Sequence, residues 1–225
     1  NRIFEQLIPS YRGKPQAERL IYFFADSYYQ IKNFYLAAYR FENFIKSFPE
    51  SQKIEEANFY SAKSHYMMSP VFSLDQEETL KAIDKLQIFI NNYPESSHMD
   101  ESNQLISELQ TKIEKKEFEI AKQYYTIFDY RAAITALDNF IAEFVGTKFR
   151  EEALYYKFLS SYEIAINSIE FKKLDRLKDL KELYNNIVRY YPETLFEEDL
   201  IKKMKNLNLK KINSLNLKNK LVRST

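Results

Sequence analysis

Apolar residues recur along this chain at the spacing of amphipathic helices, and the pattern is clearest over residues 118–144. Within this stretch Ala121 and Ala133 lie twelve residues apart, with a turn-forming Asp between them. Small residues at that spacing let two short helices approach closely, so the stretch predicts one helical hairpin of the tetratricopeptide type. The same spacing recurs at Ala25 and Ala37, which indicates a repeated unit.

The second helix of each predicted hairpin ends in one recurrent pattern, an apolar triplet at i, i+3 and i+4 with an aromatic residue at i+7. Proline usually follows, and it stops a helix because it lacks an N–H donor and clashes with the preceding turn. A Ser or Thr two residues after each proline then provides a cap for the next helix. The predicted caps are Ser51, Ser96 and Thr194. The four copies of the pattern are Phe41, Phe44, Ile45, Phe48, Pro49; Leu86, Phe89, Ile90, Tyr93, Pro94; Leu137, Phe140, Ile141, Phe144, Val145; and Tyr184, Ile187, Val188, Tyr191, Pro192.

These patterns predict an all-α fold, a right-handed superhelical solenoid of about five tetratricopeptide-like hairpins of which the first is truncated. The repeats are longer than usual, and we attribute the excess to an inserted loop at 69–75, a first helix lengthened backwards over 105–116, and a longer connection over 164–174. The predicted solenoid covers 1–208, with a partial hairpin at 1–12, complete hairpins near 16–50, 53–96, 99–147 and 148–194, and a terminal helix at 195–208; a basic tail follows at 209–225.

Composition supports this class and excludes several kinds of chemistry. Hydrophobic residues make up 45% of the chain, whereas only two Gly are present, too few for the many turns of a sheet-rich fold. The absence of Cys excludes disulfides, thiolate catalysis and cysteine-ligated zinc within this sequence. No apolar run reaches the ~20 residues that a membrane-spanning helix needs. The chain therefore reads as a helical interaction module.

Charge is unevenly distributed along the chain, although the formal net charge is only +1. Basic residues and no acidic residue follow Asp199, which predicts a basic end that either docks on a partner or remains solvated. The nearly neutral total gives no reason to expect nucleic acid as a partner. At the other end, residues 4–11 match the last turns of later hairpins, so we expect the sequence to open inside a second helix, with any targeting segment upstream.

Candidate catalytic and metal-binding groups are few. His65 and His98 fall in different hairpins, without other metal-ligand types at a supporting spacing, so we interpret both as structural or solvated. Paired acids stand at predicted helix starts, where carboxylates complement the exposed N–H groups. With no glycine-rich phosphate loop and no serine nucleophile motif, we predict no catalytic residue, no metal site and no cofactor, and we expect the protein not to be an enzyme. The acids are Glu55, Glu56, Glu77, Glu78, Glu151, Glu152, Glu197, Glu198 and Asp199.

Aromatic residues recur at fixed positions in the first helix of each hairpin, and we call this set the aromatic ladder. The small position is the place that Ala25, Ala62 and Ala121 hold in the first helices of the first three complete hairpins, and Phe158 occupies it in the fourth. In each hairpin one aromatic residue lies three residues before this position, and a Tyr lies four residues after it. Seven residues are about two helical turns, so both rings share one face. They either only fill gaps between helices or line a groove for an extended peptide, with Asp26 and Lys63 adding polar contacts. The members are Tyr22, Phe59, Phe118 and Tyr155 before the small position, and Tyr29, Tyr66, Tyr125 and Tyr162 after it.

Three segments carry a resemblance to a known family. They are SLDQ at 73–76, YPES at 93–96 and FEIAKQYY at 118–125, in an order of hairpins that includes the inserted loop and the long first helix of the third hairpin. Over residues 4–183 the chain resembles the BamD family, lipoproteins of the outer-membrane β-barrel assembly machinery. It departs from that family in having no Cys and in carrying Val145-Gly146 where the pattern has proline.

The resemblance implies a non-enzymatic scaffold on the periplasmic face of the outer membrane, anchored by lipid on an upstream Cys. Its C-terminal repeats would bind the periplasmic domains of a BamA-like barrel-forming insertase, together with other subunits of the assembly complex. Its N-terminal repeats would receive the C-terminal strand of unfolded outer-membrane β-barrel proteins. The candidate client-groove residues are Tyr22, Asp26, Tyr29, Phe59, Lys63 and Tyr66, and the candidate insertase-facing residues are Tyr155, Tyr162 and Arg189.

Two other interpretations stay open on the residues alone. One is a different tetratricopeptide adaptor, either a periplasmic coordinator of envelope constriction or a cytosolic chaperone adaptor. The other is an enzyme regulated by a helical array, whose catalytic domain would lie outside these 225 residues.

Overall fold

Every regular element that the structure describes is a helix. The computed structural model describes residues 2–207, and within that range there is no β-strand, which confirms the all-α prediction. None of the helices in this range is both long and apolar enough to cross a membrane. The basic tail predicted at 209–225 lies outside the described residues. In chain order the helices are α1 (Arg2–Tyr11), α2 (Gln16–Gln30), α3 (Phe34–Ser47), α4 (Ile54–Met68), α5 (Glu77–Asn92), α6 (Met99–Thr126), α7 (Tyr130–Glu143), α8 (Arg150–Ile166), α9 (Glu170–Tyr190) and α10 (197–207).

The chain divides into two compact units, and the division falls within α6. The first unit runs to Lys116, and the second starts at Glu117. In the first unit α1 packs on α2, α2 on α3, α3 on α4 and α4 on α5. In the second unit α7 packs on α8 and α8 on α9, while α10 adds Leu200 to the core between them. Each unit is therefore a run of consecutively packed helices, as in a tetratricopeptide-like solenoid.

Small residues stand where consecutive helices of the first unit approach each other. Ala25 and Ala37 belong to one core cluster with Phe41, and none of the three has accessible surface. The next pair, Ala62 and Ala82, is buried in a second cluster. Because alanine has no side chain beyond Cβ, the two backbones pack closely and larger neighbours fill the remaining space. The prediction that Ala25 and Ala37 lie in a helix contact is confirmed, and Ala62 and Ala82 show the same arrangement in the next hairpin.

Two of the hairpin turns are built alike, from a left-handed residue followed by a capping side chain. Lys32 has a φ of 60° and Phe128 a φ of 65°, both in the left-handed region. Asn33 Oδ1 then accepts a hydrogen bond at 3.3 Å from the backbone N–H three residues later. Asp129 Oδ1 accepts the equivalent bond at 3.1 Å. Asn and Asp satisfy an otherwise unpaired N–H of the first helical turn, so these residues fix the starts of α3 and α7.

The predicted insertion and the predicted long helix are both present. Residues 69–76 form a non-helical connection between α4 and α5. The Gln76 side-chain amide holds this connection in shape, since it donates to the carbonyls of Val71 and Leu74, each at 2.9 Å. Helix α6 is 28 residues long, about twice the length of the helix that follows it. The extra residues of the second and third complete hairpins therefore lie where the sequence predicted them.

The long connection predicted over 164–174 is wrong. Helix α8 continues to Ile166 and α9 begins at Glu170, so only residues 167–169 link them. Ala165 has no accessible surface and belongs to the core cluster of the second unit. Its burial extends the helical contact beyond the point where the turn was expected. The extra length of the fourth complete hairpin lies in its helices.

Candidate protein-binding site

The aromatic residues three positions before the small position belong to the core of the first unit. Tyr22 is 5% exposed and Phe59 is 1% exposed. Each is covered by a residue from the turn before the next first helix, since Lys53 Nζ lies 5.2 Å from the Tyr22 ring centroid and the His98 ring stacks on Phe59 at 4.0 Å. In the second unit the same turn position places Phe149 on Phe118 and Phe196 on Tyr155. Tyr22 and Phe59 therefore fill space between helices and present no aromatic face to a client.

The tyrosines four positions after the small position stay partly exposed in the first unit. The Tyr29 ring lies 5.0 Å from that of Tyr60; burial raises the pKa of Tyr29, and the nearby Lys63 ammonium partly offsets this effect. The Tyr66 hydroxyl donates to Glu108 Oε2 at 2.5 Å, and this hydrogen bond raises the pKa of Tyr66 to about 12. Both hydroxyls therefore keep their protons at neutral pH and remain hydrogen-bond donors.

Asp26 and Lys63 place opposite charges on the same first helices as these tyrosines. Lys63 Nζ lies 2.6 Å from Glu101 Oε1; burial alone would lower the pKa of Lys63, but the hydrogen bond to Glu101 raises it. Asp26 Oδ1 accepts a hydrogen bond at 3.0 Å from a side-chain amide one turn later. We call the four partly exposed candidates the first-helix face: Asp26, Tyr29, Lys63 and Tyr66. Within it, Tyr29 and Lys63 are close enough to influence each other's pKa.

An apolar cleft that was not singled out from the sequence opens between α1 and α2 in the first unit. Its volume is about 630 Å³, and it is lined by Leu7, Tyr11, Leu20 and Phe23, with Arg19 beside them. The Arg19 guanidinium carbon lies 5.5 Å from the Phe23 ring centroid. The available signal was the spacing of four residues between Leu7 and Tyr11 and between Arg19 and Phe23, which puts each pair on one helix face. The cleft combines apolar walls with one cation.

Helix α10 covers two of the three predicted insertase-facing residues in the second unit. The Tyr155 hydroxyl donates to Asp199 Oδ2 at 3.0 Å. Tyr162 is buried, and Lys203 Nζ lies 4.7 Å from its ring centroid. Arg189 is exposed and lies on α9, a different element. The two tyrosines therefore hold α10 against the unit, and Arg189 alone of the three belongs to the exposed residues.

Three hairpins share a carboxylate–hydroxyl contact that the sequence did not reveal. Ser96 Oγ donates to Glu55 Oε1 at 2.5 Å and accepts a hydrogen bond from the His98 N–H at 3.1 Å. The Ser96 hydroxyl therefore holds the turn directly before α6, and it also ties the start of α4 to the chain that follows α5. The equivalent pairs are Ser51 with Glu18 at 2.5 Å and Thr194 with Glu151 at 2.6 Å. In these hairpins the acid near the start of the first helix therefore also binds the chain that follows the second helix.

Ser96→Ala is expected to lower the free energy of unfolding of the first unit by about 1–2 kcal/mol, because it removes the hydroxyl that holds the turn before α6 and leaves Glu55 without its donor. Urea titration followed by circular dichroism measures the change. The matched control is Ser97→Ala, at the exposed neighbouring position, for which we expect a change below ~0.5 kcal/mol. Equal losses in the two variants would contradict the role assigned to Ser96.

Both histidines have structural neighbours. His98 stacks on Phe59, as described above, and His65 Nε2 lies 3.4 Å from Glu42 Oε1. The same Glu42 oxygen accepts a hydrogen bond from Lys85 Nζ at 2.7 Å. Among residues 2–207, no group of three or more His, Cys, Asp or Glu side chains is arranged to hold a metal ion. The histidines are packing residues of the first unit.

Comparison with protein-family models matches this chain to one family. The model, YfiO, is described as an outer membrane lipoprotein, and it matches residues 1–127 and again residues 119–212. Together these ranges contain every helix described above. No curated protein matches the chain significantly. With helical hairpins of both units inside the matched ranges, the chain belongs to the YfiO family of outer membrane lipoproteins.

Proposed function

We propose that this protein is a non-enzymatic scaffold of outer-membrane protein assembly, which binds unfolded β-barrel clients and the barrel-forming insertase. Family membership supports the outer-membrane setting. The observation that carries the proposal is the first-helix face, where hydroxyl, ammonium and carboxylate groups stand partly exposed on first helices of a repeat fold. Arrays of helical hairpins use such faces to hold polypeptides.

Clients would bind to the first unit through the first-helix face and the apolar cleft, and α2 contributes to both. An extended strand offers backbone groups to the Tyr29 and Tyr66 hydroxyls and apolar side chains to the flat tyrosine rings. The cleft suits the end of such a strand. Phe23 offers an aromatic wall to a terminal aromatic residue, and the Arg19 guanidinium offers hydrogen bonds to the terminal carboxylate.

The insertase would bind to the second unit at the exposed end of α9. Arg189 is exposed there, and so are its neighbours Val188 and Tyr190. Arg and Tyr are enriched at the energetic centres of protein interfaces, because both combine a large contact area with hydrogen-bonding groups. Tyr155 and Tyr162 would act indirectly by holding α10 in place. A lipid on a Cys upstream of these residues would attach the protein to the periplasmic face of the membrane.

Site-specific crosslinking tests the client part of this proposal. A photoreactive residue placed at Tyr29, Tyr66 or Phe23 is expected to label a peptide that copies the C-terminal strand of a β-barrel and ends in an aromatic residue. Labelling should be severalfold stronger than from the same photoreactive residue at Lys173, which lies in the second unit. The reason is that only the first three positions belong to the first-helix face or the cleft.

The control peptide has the same sequence with an amidated C-terminus, which removes the negative charge. We expect amidation to weaken labelling at Phe23 more than at Tyr66, since Arg19 lies beside Phe23. Labelling from Tyr29 and Tyr66 that is no stronger than from Lys173 would reject the client assignment. Loss of the difference between the two peptides would remove the cleft from it.

A further inference from the structure

Large apolar side chains are exposed at two turns of the second unit, the α6–α7 turn and the α8–α9 turn. At the first of them Ile127 is more than half exposed and Phe128 is 76% exposed. At the second, Ile169 is more than half exposed and Phe171 is 87% exposed. Side chains this exposed add little to the core. We define these four residues as the apolar turn pair.

The two turns lie at the same end of the second unit. Phe118 of α6 stacks on Phe149, just before α8, with ring centroids 5.6 Å apart. Two turns further along both helices, the Tyr125 ring lies 5.3 Å from that of Tyr156. Both residue numbers rise by seven from the first contact to the second, so the C-terminal part of α6 runs in the same direction as α8. The turns that follow them therefore project from one end.

Phe128 is an unfavourable residue for its backbone position. Its φ of 65° lies in the left-handed region, which Gly and Asn adopt readily and bulky residues rarely adopt. The ring meets that of Tyr130 edge-on, with centroids 6.3 Å apart, yet most of its surface remains exposed. Neither the backbone conformation nor packing in the core therefore explains why an aromatic residue stands at this position. A contact outside the chain would explain it.

Basic residues accompany the apolar turn pair. Lys172 and Lys173 directly follow Phe171, and Arg131 lies three residues after Phe128. Lys172 and Arg131 are exposed, and Lys173 is partly exposed. Two acids lie among them: Asp129 caps the start of α7, and Glu170 Oε1 lies 4.0 Å from Lys173 Nζ. This end of the second unit therefore combines protruding apolar groups with the exposed cations Lys172 and Arg131.

The opposite end of the second unit has a different character. Leu195 is 91% exposed there, and the neighbouring Thr194 binds Glu151 at the start of α8, which places this turn away from the apolar turn pair. The residues around it are acidic, namely Glu193, Glu197 and Glu198. Exposed apolar side chains thus occur at both ends, and Lys148 lies three residues after the exposed Val145 of the α7–α8 turn. Among the described residues of the second unit, two adjacent cations directly follow such a side chain only at Phe171.

We propose that the apolar turn pair inserts into the headgroup region of a lipid bilayer, where Lys172 and Lys173 bind anionic phosphates. Apolar and aromatic side chains that protrude beside cations are typical of membrane-interface contacts. A fluid bilayer accepts side chains that protrude from turns, whereas a protein partner needs a matching concave surface. The inference rests on the proposed function only in naming the outer membrane as the bilayer. It adds a lipid contact made by the folded chain itself.

Fluorescence tests this inference directly, because the chain has no Trp. The Phe128→Trp variant carries a single tryptophan at the apolar turn pair, and the Leu195→Trp variant carries one at the opposite end. With vesicles of phosphatidylethanolamine and phosphatidylglycerol, Phe128→Trp emission is expected to shift to the blue and to be quenched by brominated lipid. Leu195→Trp emission should change little. Added salt should reduce the Phe128→Trp response, because it screens Lys172 and Lys173.

A second pair of variants measures how much the side chains contribute. Phe128→Asn combined with Phe171→Ser is expected to lower the vesicle-bound fraction at limiting lipid about tenfold or more, the effect of withdrawing two aromatic side chains from the interface. Both positions are exposed and Asn suits a left-handed residue, so the helical circular dichroism signal should be unchanged. Val145→Ser, at the exposed α7–α8 turn, is the control that should keep binding.

Three results would overturn the inference. They are no vesicle response from Phe128→Trp, an equal response from Leu195→Trp, or a Phe128→Trp response to the insertase's periplasmic domains and not to vesicles. The last result would assign the surface to a protein partner. The crosslinking test reads out the first unit with a peptide and no lipid, so either proposal can fail while the other stands.

Discussion

Phe158→Ala is expected to lower the free energy of unfolding of the second unit by about 3–5 kcal/mol. Phe158 has no accessible surface and stands at the position where the other complete hairpins carry alanine. It shares the core cluster of α8 and α9 with Tyr162 and Leu180. Removing the ring leaves a cavity, because helices held by their other contacts close it only partly. Urea titration followed by circular dichroism measures the loss.

The matched control for this substitution is Phe171→Ala, which removes the same ring from a position that is 87% exposed. We expect a change below ~0.5 kcal/mol. Since the chain has two compact units, hydrogen exchange followed by segment should place the loss from Phe158→Ala in α8 and α9. A loss of equal size in the two variants would show that Phe158 does not carry the core of this hairpin.

Ala133→Leu is expected to destabilise the second unit by about 1–3 kcal/mol through overpacking. Ala133 lies near the start of α7 and has no accessible surface, so three additional carbon atoms must displace neighbouring side chains or backbone. Urea titration is again the measurement. The result tests the premise that alanine is required where the helices of a hairpin approach each other.

Helix α7 also provides the control, because Ala142 lies on its exposed face. Ala142→Leu makes the same chemical change in the same helix, and the helix propensities of the two residues are similar. We expect it to alter stability by less than ~0.5 kcal/mol. If Ala133→Leu were no more destabilising than Ala142→Leu, close packing at the small position would not be a stability requirement.

The aromatic ladder shows how far the sequence could lead toward a site. Helical spacing put both rings of each hairpin on one face, but it left open whether they fill space or contact a client. In the first unit the structure separates the two sets: Tyr22 and Phe59 are buried, whereas Tyr29 and Tyr66 stay partly exposed. The difference arises because the turn before the next first helix covers the earlier ring. That turn is about a helix pair away in sequence, so no local pattern indicates it.

The apolar cleft was missed for a related reason. Each of its residues lies on an ordinary amphipathic helix, and the cleft exists only because α1 and α2 leave a space between them. The error at 164–174 has a different origin. Local spacing alone suggested a turn, but the burial of Ala165 among residues of α8, α9 and α10 continued the helix.

By itself the sequence determined the helical class, the repeated hairpins, the turn at Asp129, and the small residues at helix contacts. These features depend on backbone rules and on spacings of a few residues, which the sequence states directly. Only the tertiary structure decided which aromatic rings are covered, which acids bind the hydroxyls of Ser51, Ser96 and Thr194, and that α10 covers Tyr155 and Tyr162. Those contacts join residues from different helices and turns. They are fixed by how one hairpin stacks on the next, a packing event that no local stretch of sequence specifies.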